Sequence, residues 1–283
     1  MYKLINYYTQ RFSFPHKGWK YFYRMLKWLG LSKREYRKKI FNGMYMLITP
    51  AEHIQQQLFW YGYYEKPVAL LLEEFIKDDS TILDIGAHIG YFTLVAAQRA
   101  KNGKIYAFEP VTELFQKLQR NIDENGLLNA EALNYAVGDS EEDSLIHLSS
   151  PDNTGMSSLR PPENYSGISE TIRLITIDGW INQEKIATVD IVKLDVEGCE
   201  LLALRGMEKL LLNQKPVLIV EINAETLGYF NFSPKDVMDY LDHLGYLSFG
   251  ISKNGFLQKI AEVNREGNIA FVHFEKLKEF NSH

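Results

Sequence analysis

Three carboxylates stand close together in the stretch Lys193 to Glu200 (K-L-D-V-E-G-C-E), directly after an apolar run that is typical of a buried strand. Such a group at a strand end suits acid–base chemistry, ion binding or hydrogen bonds to a polyol. An alcohol holds its proton tightly, so a transfer to its oxygen needs a base within hydrogen-bond reach. We expect Asp195 to be the first candidate for that base and Glu197 the second. Glu200 begins the next helix, where the helix dipole stabilises a carboxylate. Lys193 either pairs with a site carboxylate or extends its ammonium group to solvent.

A second candidate site is the loop of residues 84–91 (D-I-G-A-H-I-G-Y), which follows another short apolar strand. Its two glycines permit a tight turn and a close approach of the following helix to the strand. A dinucleotide fingerprint requires G-x-G-x-x-G, which is missing here. The carboxylate ahead of the glycines would repel a pyrophosphate but suits an ammonium group, such as the amino-acid end of S-adenosylmethionine. The candidate contacts are Asp84, Gly86, Ala87, His88, Gly90 and Tyr91.

Two more strand ends supply residues that suit a nucleoside. Glu109 follows the strand 104–108 and lies 25 residues after Asp84. A carboxylate at this place can accept two hydrogen bonds from a ribose diol. Ala136 and Val137 end a third strand, and their backbone suits an adenine edge. Together with the glycine loop, these residues predict S-adenosylmethionine as the cofactor.

These loops need a fold that brings strand ends together. From residue 81, strand and helix patterns alternate, which predicts a doubly wound, mostly parallel α/β sheet of the Rossmann-like type. Such sheets bind ligands at the carboxyl ends of their strands, near the switch point. Strands are expected at 81–85, 104–108, 133–137, 145–148, 171–177, 189–194, 217–222, 246–251 and 269–274, and helices at 90–100, 112–125, 201–212 and 234–244.

The N-terminal end differs from the rest of the chain in charge. Residues 1–40 hold 11 Lys or Arg and one acid, whereas the whole chain of 283 residues has a net charge of −5. A helix over Lys17 to Leu29 would have an apolar face and a basic face. It either packs on the domain or lies on an anionic membrane surface, and the acidic remainder of the chain argues against nucleic acid. The apolar face would hold Trp19, Phe22, Tyr23, Leu26 and Leu29, and the basic face Lys17, Lys20, Arg24 and Lys27.

The chain divides into three expected parts. They are a basic, aromatic-rich extension (1–40), a hairpin and helix that lead into the core (41–78), and a ligand-binding domain (79–283). The pair Asn42-Gly43 between apolar runs predicts a two-residue hairpin turn. The single cysteine excludes an internal disulfide, and no apolar run is long enough for a bilayer span. We expect a cytoplasmic protein, with peripheral membrane contact through residues 1–40 as the open alternative.

Several motifs point together to one family. They are D-I-G-A-H-I-G at 84–90, F-E-P at 108–110, D-V-E-G-C-E at 195–200 and V-E-I-N at 220–223, supported by G-Y-Y-E at 62–65 and G-M-S-S-L at 155–159. Over about residues 40–275, the chain resembles the FkbM family of S-adenosylmethionine-dependent methyltransferases. The run at 195–200 is the most specific of the motifs, and His88 stands where the family usually has Asn. The resemblance implies a class I methyltransferase fold and O-methylation of a hydroxyl, often on a sugar or a polyketide-like product.

We therefore expect an S-adenosylmethionine-dependent O-methyltransferase that acts on a sugar, a glycan or a small natural product. The candidate residues of the glycine loop and the next two strand ends would hold the cofactor. Asp195, Glu197 and Glu221 would face the acceptor. The segment 55–65 and the long loop 149–169 would shape the acceptor pocket, which is a common use of long loops in compact domains.

Three alternatives remain open. Asp195, Glu221 and Asn223 supply three oxygen ligands at adjacent strand ends, which would suit a divalent metal such as magnesium. The histidines, His53 among them, lie at no metal-ligand spacing and suit solvated or packing roles. The same sheet type would also serve a nucleotide-linked oxidoreductase, although the missing glycine fingerprint argues against it. A non-catalytic binding module is the third alternative, against which the intact acids at each strand end argue.

Overall fold

The computed structural model of the protein describes residues 19–149, 156–160, 167–259 and 266–277. The helices are α1 (Trp19–Trp28), α2 (His53–Tyr61), α3 (Lys66–Phe75), α4 (Tyr91–Arg99), α5 (Thr112–Glu124), α6 (Ile177–Glu184), α7 (Glu200–Arg205), α8 (Glu208–Asn213), α9 (Ala224–Gly228) and α10 (Pro234–His243). The strands are β1 (Tyr36–Lys39), β2 (Tyr45–Ile48), β3 (Thr81–Ile85), β4 (Lys104–Phe108), β5 (Ala130–Leu133), β6 (Ala136–Val137), β7 (Glu142–His147), β8 (Ser169–Ile175), β9 (Ile191–Leu194), β10 (Val217–Ile222), β11 (Tyr246–Ile251), β12 (Leu257–Lys259) and β13 (Gly267–His273).

The main sheet has the strand order β12-β11-β13-β10-β9-β3-β4-β5. Strands β5, β4, β3, β9 and β10 are parallel to one another, and β13 runs antiparallel between β10 and β11. The predicted doubly wound, mostly parallel α/β sheet is therefore confirmed. From β3 the chain first builds the sheet outward through β4 and β5, and it later returns to β9 on the other side. This reversal places the switch point between β3 and β9, where ligands of such sheets bind.

Hydrophobic clusters cover both faces of the sheet. Ile82 belongs to one cluster and its neighbour Leu83 to another, because successive side chains of a strand point to opposite faces. The first cluster includes Leu94 from α4, and the second includes Leu241 from α10. In β10 all residues except Glu221 are buried, as expected for a strand that is covered on both sides.

The third strand differs from the one that the sequence predicts at 133–137. Strand β5 pairs with β4 in the main sheet, whereas β6 pairs with β8 in a separate sheet of order β6-β8-β7. Asn134 lies between them, and its Nδ2 donates to the backbone oxygens of Glu109 and Pro110, each at 2.9 Å. The prediction of a single strand was wrong because the apolar run conceals a turn that a contact with a distant loop stabilises.

Two other local predictions also need correction. The helix expected over 201–212 is the pair α7 and α8, interrupted at Gly206, where an added Cβ would lie 1.9 Å from the backbone oxygen of Gly138. The hairpin β1–β2 forms as predicted, but its turn has three residues rather than two. Ile40 N donates to Met44 O, and Gly43 has a φ of +90°, which is the geometry of three-residue hairpin loops.

The helix α1 packs on the rest of the protein through one side. Leu26 is fully buried in the cluster that contains Met46 of the hairpin. After the helix, Ala51 N donates to Ser32 O at 2.9 Å. The packing hypothesis for this helix is confirmed for the face that holds Leu26. Lys17 and the side chains of residues 19, 20 and 22 lie outside the described residues, and no helix in the described part of the chain is long and apolar enough to cross a membrane.

Candidate active site

A cavity of about 320 Å³ lies at the carboxyl ends of β3, β4, β9 and β10. Loops after these strands, the strand β6, the start of α2 and residues 156–159 form its wall. Its volume falls within the range of about 300–1,000 Å³ that is usual for small-molecule sites. The residues predicted from the sequence that line this cavity are Gly86, His88, Glu109, Ala136, Val137, Asp195, Glu197 and Glu221.

Gly86 lies at the switch point, where the loops after β3 and β9 touch. Asp195 N donates to Ile85 O at 3.0 Å. A Cβ on Gly86 would lie 1.7 Å from the backbone oxygen of Asp195, and the φ of Gly86 is +82°. Both the close approach and the left-handed backbone require glycine at this position. Gly86 thereby sets the distance between the two halves of the cavity wall.

Asp84, a predicted cofactor contact, lies outside the cavity lining. It is buried, and its Oδ2 accepts a hydrogen bond from Thr93 Oγ1 at 2.6 Å. Burial raises the pKa of Asp84, and the charge of Lys193 opposes that rise. In this position Asp84 bonds to α4 and contributes to the charge balance of the site, but it is not part of the cavity wall.

Ala87, Gly90 and Tyr91 are also outside the lining. A Cβ on Gly90 would lie 2.6 Å from Leu118 Cδ1, so this glycine lets α4 approach α5. The sequence had suggested an approach to the strand instead. Tyr91 packs edge-on against Phe92, with ring centroids 5.0 Å apart. These residues shape the loop and anchor its helix. Within the loop, Gly86 and His88 form the cavity wall.

Glu109 is held by the backbone of two loops. Its Oε2 accepts from His88 N at 2.8 Å and its Oε1 from Val111 N at 2.9 Å. Burial raises the pKa of Glu109 to about 7, and these two N–H groups oppose the rise. Each carboxylate oxygen can accept a further hydrogen bond. The carboxyl group is therefore fixed at the cavity with acceptor capacity to spare.

His88 contributes an imidazole to the same wall. Its backbone has a φ of +54°. Burial lowers the pKa of the ring to about 4, although the charge of Asp195 acts in the opposite direction. At neutral pH the ring is thus uncharged, with one nitrogen as donor and the other as acceptor. It suits hydrogen bonds to an uncharged part of a ligand.

Asp195 and Lys193 form a buried ion pair beside the cavity. Lys193 Nζ lies 3.0 Å from Asp195 Oδ2, and the side chain of Lys193 is 2% exposed. Burial is the largest single influence and works against the charge of Asp195, but the ammonium of Lys193 and the hydrogen bonds from Glu221 and Lys193 together lower the pKa of the carboxyl. The sequence left open whether Lys193 pairs with a site carboxylate or reaches solvent, and the structure shows that it pairs.

Glu221 adds a second carboxyl to this pair. The charge of Asp195, followed by burial, raises the pKa of Glu221 to about 10. The two carboxyls also share a hydrogen bond. At neutral pH Glu221 therefore keeps its proton and donates a hydrogen bond to the ionised Asp195. One charged and one neutral carboxyl thus face the cavity side by side, a pattern typical of sites that handle protons.

Glu197 and Glu200 leave the same turn in different directions. Glu197 has a φ of +50° and lines the cavity, and burial raises its pKa to about 8. Its backbone oxygen accepts from Ser158 Oγ at 2.9 Å. Glu200 Oε1 instead accepts from Val196 N and Gly198 N, at 3.2 and 3.1 Å, and is outside the lining. Glu200 stabilises the turn, whereas Glu197 is available to a ligand.

Part of the wall comes from residues that the sequence did not single out. His53, for which a solvated or packing role was expected, lines the cavity at the start of α2. Tyr64 also lines it, inside the segment 55–65 that was predicted to shape the pocket. In the loop 149–169 only residues 149, 156–160 and 167–169 are described, and residues 156–159 line the cavity. His53 offered no sequence signal, because only the packing of α2 brings it to the strand ends.

The described part of the chain contains no group of three or more His, Cys, Asp or Glu side chains that could hold a metal ion. Asn223, the third ligand of the metal hypothesis, caps α9 instead. Its Oδ1 accepts from Glu225 N at 2.9 Å. This bond directs the amide oxygen at the helix, where Asn is a favoured N-cap residue.

Comparison with known proteins places this site in a family. A model of the methyltransferase FkbM domain matches residues 84–248, which is more than half of the chain. The hexuronic acid methyltransferase AglP of Haloferax volcanii is 31% identical over 174 residues, or 62% of this chain and 66% of AglP. The AMB antimetabolite synthetase AmbE of Pseudomonas aeruginosa is 24% identical over 215 residues, which cover 64% of this chain and 10% of AmbE.

Among solved structures, a methyltransferase FkbM from Methylobacillus flagellatus matches with a TM-score of 0.45 and 18% identity. The match covers 70% of this chain and 44% of that one. Of the relatives named above, the match spans less than two thirds of the length of both AglP and AmbE. The family model covers the glycine loop, Glu109, the turn 195–200 and Glu221, which are the parts that build the cavity. The chain belongs to the FkbM family of methyltransferases.

Proposed function

We propose that this protein transfers a methyl group from S-adenosylmethionine to a hydroxyl oxygen of a sugar or another small hydroxylated molecule. The observation that carries the proposal is a single cavity that joins Glu109, an acid suited to a ribose, to the proton-handling pair Asp195 and Glu221. A cofactor site and a site for hydroxyl chemistry are thus within reach of each other, as transfer between two bound molecules requires.

The first half of the cavity fits the cofactor. Glu109 offers two fixed carboxylate oxygens to a ribose diol. His88 offers a neutral ring, and Ala136 and Val137 provide backbone and apolar surface for a flat base. Gly86 lets the loops after β3 and β9 touch, because a Cβ there would lie 1.7 Å from the backbone oxygen of Asp195. When bound, S-adenosylmethionine supplies an electrophilic methyl group on a sulfonium.

The second half of the cavity fits the acceptor. Asp195 is ionised by its pairing with Lys193, so it can accept a hydrogen bond from an acceptor hydroxyl and then its proton. Glu221 is neutral and donates to Asp195, which keeps the carboxylate oriented. Glu197 adds a third carboxyl that can bond to further hydroxyls. Carboxyl groups of this kind are suited to a polyol, and the similarity to AglP, a hexuronic acid methyltransferase, supports a sugar-like acceptor.

Calorimetric titration of the purified protein tests the cofactor half of the proposal. We expect S-adenosylmethionine and S-adenosylhomocysteine to bind and NAD not to bind. Binding of NAD alone would favour an oxidoreductase on the same sheet. Failure of all three to bind would favour a non-catalytic module and would contradict the proposal.

A further inference from the structure

The helix α1 presents three different faces to its surroundings. Leu26 is fully buried, and Tyr23 packs against the same hydrophobic cluster. On another side, Tyr21 is 76% and Trp28 85% exposed, with Met25 and Leu29 also exposed. At about 100° per residue these four side chains fall within an arc of about 100°. We call Tyr21, Met25, Trp28 and Leu29 the aromatic face.

One basic residue borders the aromatic face. Arg24 is exposed and lies about 60° around the helix from Tyr21, next to Trp28. Lys27 is also exposed, but it lies about 100° from Trp28, and its Nζ is 5.3 Å from the centroid of the Tyr23 ring on the packed side. No acidic residue occurs in α1. Glu35 is the single acid among the first 40 residues, against 11 Lys and Arg. Aromatic and basic side chains in this arrangement match a surface with an apolar interior and negative charges at its boundary.

The aromatic face is also mounted rigidly on the domain. Tyr36 Oη donates to Leu31 O at 2.9 Å, and Ala51 N donates to Ser32 O at 2.9 Å, just after the helix. His53, two residues beyond Ala51, lines the cavity. The C-terminal end of α1 therefore lies near the start of α2, which forms part of the cavity wall.

We infer that α1 docks the protein on an anionic lipid bilayer surface, with Trp28 and Tyr21 at the headgroup boundary and Arg24 on the lipid charges. The inserting side chains differ from those that the sequence suggested, because Leu26 belongs to the packed face. Packing on the domain and contact with a membrane are thus compatible, since they use different faces of one helix. The inference is independent of the proposed chemistry of the cavity.

Co-sedimentation of the full chain with vesicles provides the test. Vesicles of phosphatidylglycerol and phosphatidylcholine are compared with vesicles of phosphatidylcholine alone. We expect binding to the anionic vesicles that weakens as salt increases, together with a blue shift of tryptophan emission. The variant Arg24→Gln should bind about fivefold more weakly, which corresponds to about 1 kcal/mol for one base near the surface, and Lys27→Gln should have a smaller effect.

Two sets of substitutions distinguish membrane binding through the aromatic face from non-specific hydrophobic binding. Trp28→Ser with Tyr21→Ser should abolish the emission shift and reduce sedimentation at least about tenfold. Leu128→Ser, which removes a 92% exposed leucine elsewhere, should change neither. All of these positions are exposed, so the melting temperature should stay the same.

Three results would overturn the inference. One is the absence of binding to anionic vesicles at low salt. Another is binding that the variants of α1 leave unchanged but that removal of residues 1–17 abolishes. The third is self-association of the full chain, by light scattering, that Trp28→Ser eliminates, since this would identify a second copy as the occupant.

Discussion

At the scale of single residues, the ion pair between Asp195 and Lys193 decides what the site can do. A carboxylate without a partner in this place would gain a proton, because burial works against its charge. Lys193 keeps it ionised, and Glu221 is driven to keep its own proton. The base that hydroxyl chemistry needs is therefore present at neutral pH.

Replacing Asp195 by Asn should lower turnover by about two orders of magnitude or more, because an amide cannot accept the acceptor's proton. Calorimetry should show nearly unchanged cofactor affinity. The variant also leaves Lys193 buried without its partner, which costs about 3–5 kcal/mol of stability. The double variant Asp195→Asn/Lys193→Met restores a neutral pair and serves as the control.

We expect this double variant to regain much of the lost stability and none of the activity. An active double variant would remove Asp195 from the chemistry. Activity of the natural protein that EDTA abolishes and magnesium restores would instead favour the metal hypothesis for Asp195 and Glu221.

Glu109→Gln should weaken S-adenosylmethionine binding by about 1.5–3 kcal/mol, the range for hydrogen bonds to a charged group. Gln keeps an acceptor oxygen for only one of the backbone N–H groups of His88 and Val111, because its other terminal atom is an NH2 group. Glu109→Ala would leave both unpaired, so we expect both variants to melt at a lower temperature and Ala to lose more than Gln. Calorimetry on the Gln variant well below its melting temperature measures the cofactor affinity alone, and unchanged affinity there would place the ribose elsewhere.

Glu197 makes stability depend on pH. Its pKa rises from 4.5 to about 8 in the folded state, by burial and by the charge of Asp195. A raised pKa stabilises the fold below pH 4.5, and this contribution is lost as the pH rises through about 8. The Glu197→Gln variant has no such loss. Its melting temperature relative to the natural protein should therefore increase between about pH 5 and about pH 9, and a constant difference would show that Glu197 is solvated.

The sequence predicts site residues best where a strand end fixes them. Glu109, Asp195 and Glu221 follow strands whose order brings their carboxyl ends together, and all three line the cavity. His53 was not predicted, because its place depends on how α2 packs. Asp84 shows the opposite case, since its position beside the loop was predictable but the direction of its side chain, toward Thr93, was not.

At the scale of elements, the contact between the loops after β3 and β9 determines the shape of the cavity. Gly86→Ala would place a Cβ 1.7 Å from the backbone oxygen of Asp195. We expect the loops after β3 and β9 to separate, with lost cofactor binding and a lower melting temperature. Gly228→Ala, where nothing lies within 4 Å of the added atom, is the matched control and should leave both unchanged. Normal binding by Gly86→Ala would show that the loops can move apart freely.

The elements themselves follow from sequence patterns with few exceptions. Strands β3, β4 and β10 have the bounds that their apolar runs predict, and Ser233 and Pro234 begin α10 through a capping box. The run 133–137 has the pattern of a single strand but does not form one, because the bonds from Asn134 to another loop place a turn inside it. Local signals thus predict elements well until a distant partner competes for the same residues.

At the scale of the whole molecule, the segments before the sheet pack on the sheet domain beside the cavity. The cavity lies at the ends of β3, β4, β9 and β10, and in our proposal the cofactor binds over β3 and β4 and the acceptor over β9 and β10. The start of α2 lines the cavity, and Ala51, just before it, bonds to Ser32, just after α1. Leu26 of α1, Met46 of the hairpin and Ile82 of β3 belong to one hydrophobic cluster.

The central claim is methyl transfer to a hydroxyl oxygen, and nuclear magnetic resonance of the product tests it most directly. The protein is incubated with S-adenosylmethionine labelled with carbon-13 at its methyl group and with a panel of neutral sugars, amino sugars, hexuronic acids and polyols. We predict a new labelled methyl ether signal with the natural protein and its loss with Asp195→Asn/Lys193→Met. A label that appears on a nitrogen, a carbon or a carboxyl group, or no transfer to any hydroxylated acceptor despite tight cofactor binding, would contradict the claim.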